Sequence, residues 1–220
     1  CSRADVARAA TAPHGEEGPR YPGTCTDLSP EVVLEKARRS GRAPTVRFRG
    51  RNQRISFVDG LCGPVDPLGE AGLDDFVIRR ADGIAAYHLA VVVDDFAQGV
   101  SQVVRGVDLL ESTPRQVYLQ RVLGYPTPEY AHIPVVVNRA GQKLSKTTGS
   151  REVPLDRVAP VLCGALRALG QPVSRDLHTA GLSAIWAWSM EHWTLETMIG
   201  PMLFTSGLLL GLFYIIDRLA

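Results

Sequence analysis

Charge imbalance is almost absent from this sequence: 24 Lys and Arg face 23 Asp and Glu over 220 residues, a formal net charge of +1. Nothing global draws such a chain to a polynucleotide, so an RNA or DNA partner has to be met by a local basic face. Cysteine is scarce too. Cys1, Cys25, Cys62 and Cys163 are widely spaced, and no secretory signal opens the chain. That speaks against a disulfide scaffold and for a reduced, intracellular protein. Internal repeats and low-complexity tracts are missing. Long uncharged runs are confined to one place, Met198 to Ile216, nineteen residues and about the length needed to span a bilayer. What remains is a chain with 45% hydrophobic and 21% charged residues. It is long enough to bury a sizeable core in one large domain or one and a half ordinary ones.

Residues 1–28 are loop-rich, with Pro13, Gly15, Gly18, Pro19, Pro22 and Gly23. So few apolar residues cannot pack a core, and a metal could supply the missing order. Tyr21-x-x-x-Cys25 brings a phenol oxygen near a thiol; the plainer alternative is a flexible loop with incidental thiols. Ser29-Pro30-Glu31 predicts a helix start, running to Arg39 and stopping at Gly41. Thr45 to Phe48 and Ile55 to Val58 alternate as strands do. Arg47, Arg49, Arg51 and Arg54 cluster here, as a solvated strand face or as a local contact for RNA phosphate.

Asp75 to Gly83 predicts a strand entering an Asp-Gly turn. The run Tyr87 to Asp95 is undecided by periodicity: its β-branched residues favour a strand, yet Tyr87, Ala90, Val91 and Asp94 share one helical face. Gly99 to Val104 predicts a strand ending at Arg105-Gly106, where a charged residue can line a ligand crevice or simply pair with Asp108 or Asp94. Thr113-Pro114 opens a helix closed by Gly124. An apolar strand is expected over Ile133 to Asn138, with His132 just before it; a packed, hydrogen-bonded histidine is the plainer reading there. Two helices follow, over Ala159 to Leu169 and Asp176 to Trp193. Alternating strands and helices imply an α/β sheet with crossovers.

Between these lies Lys143-Leu144-Ser145-Lys146-Thr147, bracketed by Gly141 and Gly149. Two lysines three apart with a hydroxyl between them make a compact polyphosphate grip, and the glycines let the backbone bend around a ligand.

Taken together, these residues resemble one family. The segments are Asp75 to Arg80, Tyr87 to Asp95, Val104-Arg105-Gly106-x-Asp108-Leu109, Ser112-Thr113-Pro114-Arg115-Gln116, His132-x-Pro134 and Lys143-Leu144-Ser145-Lys146. Their order and spacing resemble class I glutamyl-tRNA synthetases, with the lysine loop similar to that class's KMSKS signature. The resemblance is strongest to short paralogues without an anticodon-binding domain, which glutamylate queuosine in tRNA(Asp). It implies a Rossmann-like class I catalytic domain, here its second half, with a zinc-binding insertion and a short helical C-terminal part. The implied boundaries are 1–28 for the zinc segment, 29–150 for the catalytic half, 151–197 for the helical part and 198–220 for the hydrophobic tail.

The resemblance further implies that L-glutamate is activated with ATP, accompanied by Mg2+, and passed to the queuosine base at the wobble position of tRNA(Asp). Tyr87 and Arg105 match glutamate-binding positions. Lys143 and Lys146 match catalytic ones, and Lys146, Ser145 and His132 are expected at ATP. Cys1, Tyr21 and Cys25 match zinc ligands, with a first cysteine expected upstream of Cys1. The family's N-terminal half-site, with its HIGH-like motif, does not occur in this sequence, so the chain alone is expected to be catalytically incomplete. A cytoplasmic location is implied, and the tail 198–220 departs from the family; a frameshift, gene-end error or fusion is favoured over a membrane anchor. Two alternatives stay open: a fragment of an ordinary glutamyl-tRNA synthetase, and a non-catalytic remnant that binds zinc and RNA.

Overall fold

A computed structural model of the chain describes residues 20–136, 143, 155–194 and 197. In order, the elements are α1 (Pro30–Ser40), β1 (Val46–Phe48), β2 (Phe57–Asp59), β3 (Gly63–Val65), β4 (Phe76–Arg79), α2 (Tyr87–Ala97), β5 (Gln102–Gly106), α3 (Thr113–Leu123), β6 (Glu129–Ile133), α4 (Val158–Ala168) and α5 (Leu182–His192). One sheet has the strand order β3-β2-β6-β5, and β1 pairs with β4 in a separate two-stranded sheet. That pair is antiparallel, matching Arg47 with Val77 and Phe48 with Phe76. The chain divides into two compact units. The described part of the first comprises residues 20–58, 64–103 and 108–130; that of the second comprises 59–63, 104–107 and the described residues from 131 on.

Local chemistry explains the helix ends. Ser29 caps α1 by accepting from the Val32 N–H, Pro30 supplies the first helical φ, and Gly41 closes the helix at φ 64°. Gly124 ends α3 in the same left-handed way, at φ 70°. The undecided run Tyr87 to Asp95 is helical. Its buried Val92 joins Phe76 and Leu119 in a cluster that includes Phe48, Ile78 and Tyr125. Tertiary burial here overrides the strand preference of the three valines. The expected strand over Ile133 to Asn138 lies instead at Glu129–Ile133. Pro134 has no N–H to give a ladder, so the strand stops before it; residues 137 and 138 lie outside the described residues. The expected helix over Asp176 to Trp193 is a short 3-10 turn, Asp176–Thr179, followed by α5.

The first unit has a second core around Ile55, Leu73, Val117 and Tyr130. Beside it lies a polar anchor. Asp74 accepts from Arg115 Nη2 at 2.8 Å and from the Tyr21 N–H at 3.1 Å. Burial pushes the Asp74 carboxyl up, but Arg115 and the Tyr21 N–H bring it below its ordinary value. In the second unit, Cys163, Leu166 and Ile185 pack α4 against α5, and Leu61 packs with Ala131. Burial raises the Cys163 thiol above its ordinary value, as suits a core residue. Among the described residues, no helix is long and apolar enough to cross a membrane; the tail 198–220 lies outside them.

Arg115 and Asp74 are about nine-tenths buried, at 10% and 11% side-chain exposure. Removing the cation strands a buried carboxylate. Arg115→Ala is therefore expected to lower stability by about 3 kcal/mol in a urea melt. A loss below about 1 kcal/mol would show that the Tyr21 N–H satisfies Asp74 without Arg115.

Candidate functional site

Among the described residues of the second unit, a dense polar constellation starts at the end of β2. The Asp59 carboxylate turns back over its own chain, and Oδ1 accepts from the Leu61 and Cys62 backbone N–H groups at 3.0 and 2.9 Å. This is the local turn an aspartate makes when it ends a strand. The same oxygen accepts from the His132 backbone N–H at 3.1 Å, and Oδ2 lies 2.6 Å from His132 Nδ1. His132 sits in β6, the neighbour of β2. On the far side of the ring, Arg105 of β5 donates from Nε to His132 Nε2 at 3.1 Å. Three adjacent strands thus contribute an acid, an imidazole and a guanidinium in a row.

Burial sets the electrostatics of this row. Asp59 is 2% exposed and His132 0%. Burial alone would raise the Asp59 pKa; the His132 ring and the backbone N–H groups of Cys62, Leu61 and His132 overcome it and hold the carboxyl down at about 2. Asp59 is therefore a carboxylate. It can only accept and a guanidinium can only donate, so the ring carries its proton on Nδ1 and presents a bare Nε2 to Arg105. The neighbouring Cys62 thiol is pushed up to about 11, by burial and then by the Asp59 charge, which keeps it protonated and unreactive.

Of the expected site residues, Arg105 and His132 are brought together. Tyr87 begins α2 in the first unit, 47% exposed, its ring edge-on to His88 at 5.4 Å. Lys143 forms an isolated bridge and is half-buried. Ser145 and Lys146 lie outside the described residues, as does Cys1. Asp59 was not anticipated; the signal for it was an acid at a predicted strand end beside Gly60.

Tyr21 and Cys25 do meet. The Tyr21 hydroxyl oxygen accepts from the Cys25 N–H at 2.7 Å, closing the turn from residue 21 to residue 25. Burial raises the phenol above its ordinary value, the Cys25 N–H pulls it back, and the Cys25 thiol adds a further upward push. An oxygen donor and a sulfur residue gathered on one turn fit a share of a tetrahedral zinc site. Among the described residues, however, no group of three or more His, Cys, Asp or Glu could hold a metal.

The arginine cluster is largely spent inside the first unit. Arg47 stacks 3.9 Å over the Tyr21 ring and donates to the Asp75 carbonyl at 2.9 Å. Arg49 donates to the Thr26 carbonyl, and Arg54 pairs with Asp66. Arg51 is exposed on a turn at φ 52°.

Comparison with known proteins places this geometry. A family model described as tRNA synthetases class I (E and Q), catalytic domain, matches residues 5–160. The chain belongs to this family. Within the class I synthetase family it is 48% identical over 198 residues to a protein of Dechloromonas aromatica named glutamyl-Q tRNA(Asp) synthetase, covering 90% of this chain and 63% of that protein. A protein of the same name from Nocardia farcinica is 52% identical over 150 residues, 68% of this chain and 46% of the relative. A third, from Thiobacillus denitrificans, is 42% identical over 199 residues, 90% of this chain and 62% of the relative. The chain thus spans between 46% and 63% of the length of these curated relatives. Among solved structures, a glutamate tRNA ligase from Elizabethkingia meningosepticum in complex with its amino acid matches with a TM-score of 0.58 at 21% identity, over 89% of this chain and 42% of that one. That likeness establishes the fold, a mixed α/β class I catalytic domain with a Rossmann-like sheet.

The depressed Asp59 pKa has a pH consequence. Its contribution, roughly 2 kcal/mol, is complete above the ordinary carboxylate value of 3.8 and is lost as pH falls through about 2. The stability gap between wild type and Asp59→Asn is expected to shrink across that window in acid melts. A gap that stays constant down to pH about 2 would mean that Asp59 titrates alike in the folded and unfolded chain, with no depressed pKa.

Proposed function

We propose that the protein of which this chain forms part activates L-glutamate with ATP, releasing pyrophosphate, and transfers the glutamyl group to the queuosine base at the wobble position of tRNA(Asp). The observation that carries this reading is the 48% identity, over 90% of the chain, to a relative named glutamyl-Q tRNA(Asp) synthetase. The site chemistry supports it. Arg105 supplies a forked cation for a carboxylate of glutamate, and Tyr87 a hydroxyl and a ring wall.

Lys143 and Lys146, with Ser145, stabilise the charge that builds as a glutamate carboxylate oxygen attacks the α-phosphorus and the bond to pyrophosphate breaks. Mg2+ carried with ATP adds to the neutralisation. Transfer then releases AMP. No protein nucleophile is needed; catalysis is positioning plus electrostatics. In this reading His132 stands behind Arg105 rather than against the nucleotide, because its ring is enclosed and both nitrogens are engaged.

A zinc ion would be held by Cys1, Tyr21 and Cys25 and would supply order to the N-terminal segment. The closed Tyr21–Cys25 turn supports that assignment. The work of the synthetase belongs to the cytoplasm, where its tRNA is.

The test is glutamate-dependent ATP–pyrophosphate exchange on the full-length protein, followed by transfer of labelled glutamate to three acceptors: tRNA(Asp) with queuosine, tRNA(Asp) without it, and tRNA(Glu). Transfer confined to the first is expected; transfer to tRNA(Glu) would establish an ordinary glutamyl-tRNA synthetase. Lys146→Ala is expected to slow exchange at least tenfold, about 1.4 kcal/mol of transition-state stabilisation, and an unchanged rate removes the lysine loop from the mechanism. Arg105→Lys is expected to raise the glutamate KM because the fork is lost. Unaltered glutamate kinetics would count against that role.

A further inference from the structure

Asp59 uses its two oxygens for different tasks. Oδ1 takes the three backbone N–H groups of Leu61, Cys62 and His132. Oδ2 faces the imidazole, at 2.6 Å from Nδ1. The backbone bonds build the turn, so the second oxygen is left to choose the tautomer of His132. That tautomer in turn decides whether Arg105 finds an acceptor at Nε2, 3.1 Å from its Nε.

We infer that Asp59 and His132 are positioning residues for Arg105, and that they fix how its guanidinium meets the substrate carboxylate. The inference rests on the reading of Arg105 as the glutamate-binding cation. An unrestrained arginine samples many rotamers, and ligand binding has to freeze them. Anchoring Nε from behind removes much of that cost beforehand and sets the rotation of the planar group. The terminal nitrogens are the pair that matches a carboxylate fork. The anchor is itself rigid: a fully buried ring, held by a carboxylate that three main-chain groups pin in place.

Asp59→Asn separates positioning from folding. The variant keeps the side-chain shape and, through Oδ1, the three backbone bonds. Its Nδ2 takes the place of Oδ2 and donates to Nδ1. The imidazole proton then has to sit on Nε2, where it faces the Arg105 Nε–H. Two donors in opposition break that bond and withdraw the restraint that His132 places on the Arg105 Nε. The fold around the turn is kept while that restraint is lost.

The experiment uses the full-length protein. Nitrogen NMR of labelled histidine reads the tautomer, and equilibrium titration reads L-glutamate and ATP separately. The wild-type ring is expected to be protonated on Nδ1 and bare on Nε2, and the Asp59→Asn ring the reverse. Glutamate Kd is expected to rise about tenfold in the variant while ATP Kd stays within about twofold. In an Arg105→Lys background, Asp59→Asn is expected to add less than about twofold, because both changes act on one interaction; a general structural defect would add in full. His132→Phe fills the ring's space without its nitrogens and covers the case in which Asp59→Asn does not fold; it too is expected to weaken glutamate and spare ATP.

A wild-type ring protonated on Nε2 overturns the proposal, and so does loss of glutamate and ATP affinity in step. If Arg105→Lys weakens glutamate binding and the Asp59 and His132 variants leave it unchanged, positioning fails alone. If Arg105→Lys also leaves it unchanged, the reading of Arg105 fails and the inference falls with it.

Discussion

A carboxylate with almost no solvent exposure stays ionised at the end of β2, and the second unit's site depends on it. Burial opposes the charge of Asp59. Three main-chain N–H groups and one imidazole N–H reverse that opposition and hold the pKa at about 2. The charge is thereby tied to geometry: the end of β2, the turn through Cys62 and the middle of β6 all converge on it. His132 inherits its tautomer from this carboxylate, and Arg105 inherits an acceptor from His132. A neutral group of the same shape keeps the turn but not this order of donors and acceptors.

The first unit applies the same logic to a different purpose. Asp74 and Asp75 are neighbours in sequence and divide their work. Asp74 takes Arg115 and the Tyr21 N–H, while Asp75 takes the Gly50 N–H, the Thr26 hydroxyl and, through its carbonyl, Arg47. Together they anchor the turn that carries Tyr21 and Cys25 beside β4. The near-zero net charge of the chain is therefore not a dilute mixture of surface ions. Several of its arginines are committed to carboxylates and carbonyls, so a count of basic residues overstates what is left for an external anion.

Legibility in the sequence followed the range of the interaction. Helix ends set by one or two neighbouring residues, such as Ser29 and Gly41 at α1 or Gly124 at α3, were readable from local chemistry. Arg105 was readable as a charged residue closing a strand beside glycine. The strand at Glu129–Ile133 was misplaced because an apolar run outweighed a single proline. The helix at Tyr87–Ala97 was undecidable because its valines suit a strand and only contact with Phe76 and Leu119 settles them. Asp59 was invisible as a partner of His132, since nothing in a linear chain announces a contact across 73 residues. The internal bonds of the arginine cluster were unreadable for the same reason: its partners, Asp75, Thr26 and Asp66, lie 12 to 28 residues away.

That 73-residue separation also bears on when the site comes into being. The bond from Arg105 to His132 closes 27 residues and the one from His132 to Asp59 closes 73. Loop closure of this kind draws on chain entropy before any contact repays it, whereas the turns of α1 or α3 form from near neighbours. The insertion of β6 between β2 and β5 is thus the step that creates the row. A chain with its helices formed and β6 still outside the sheet has an Arg105 with no His132 behind it. In the role proposed for Arg105, its readiness for glutamate is tied to the completed sheet.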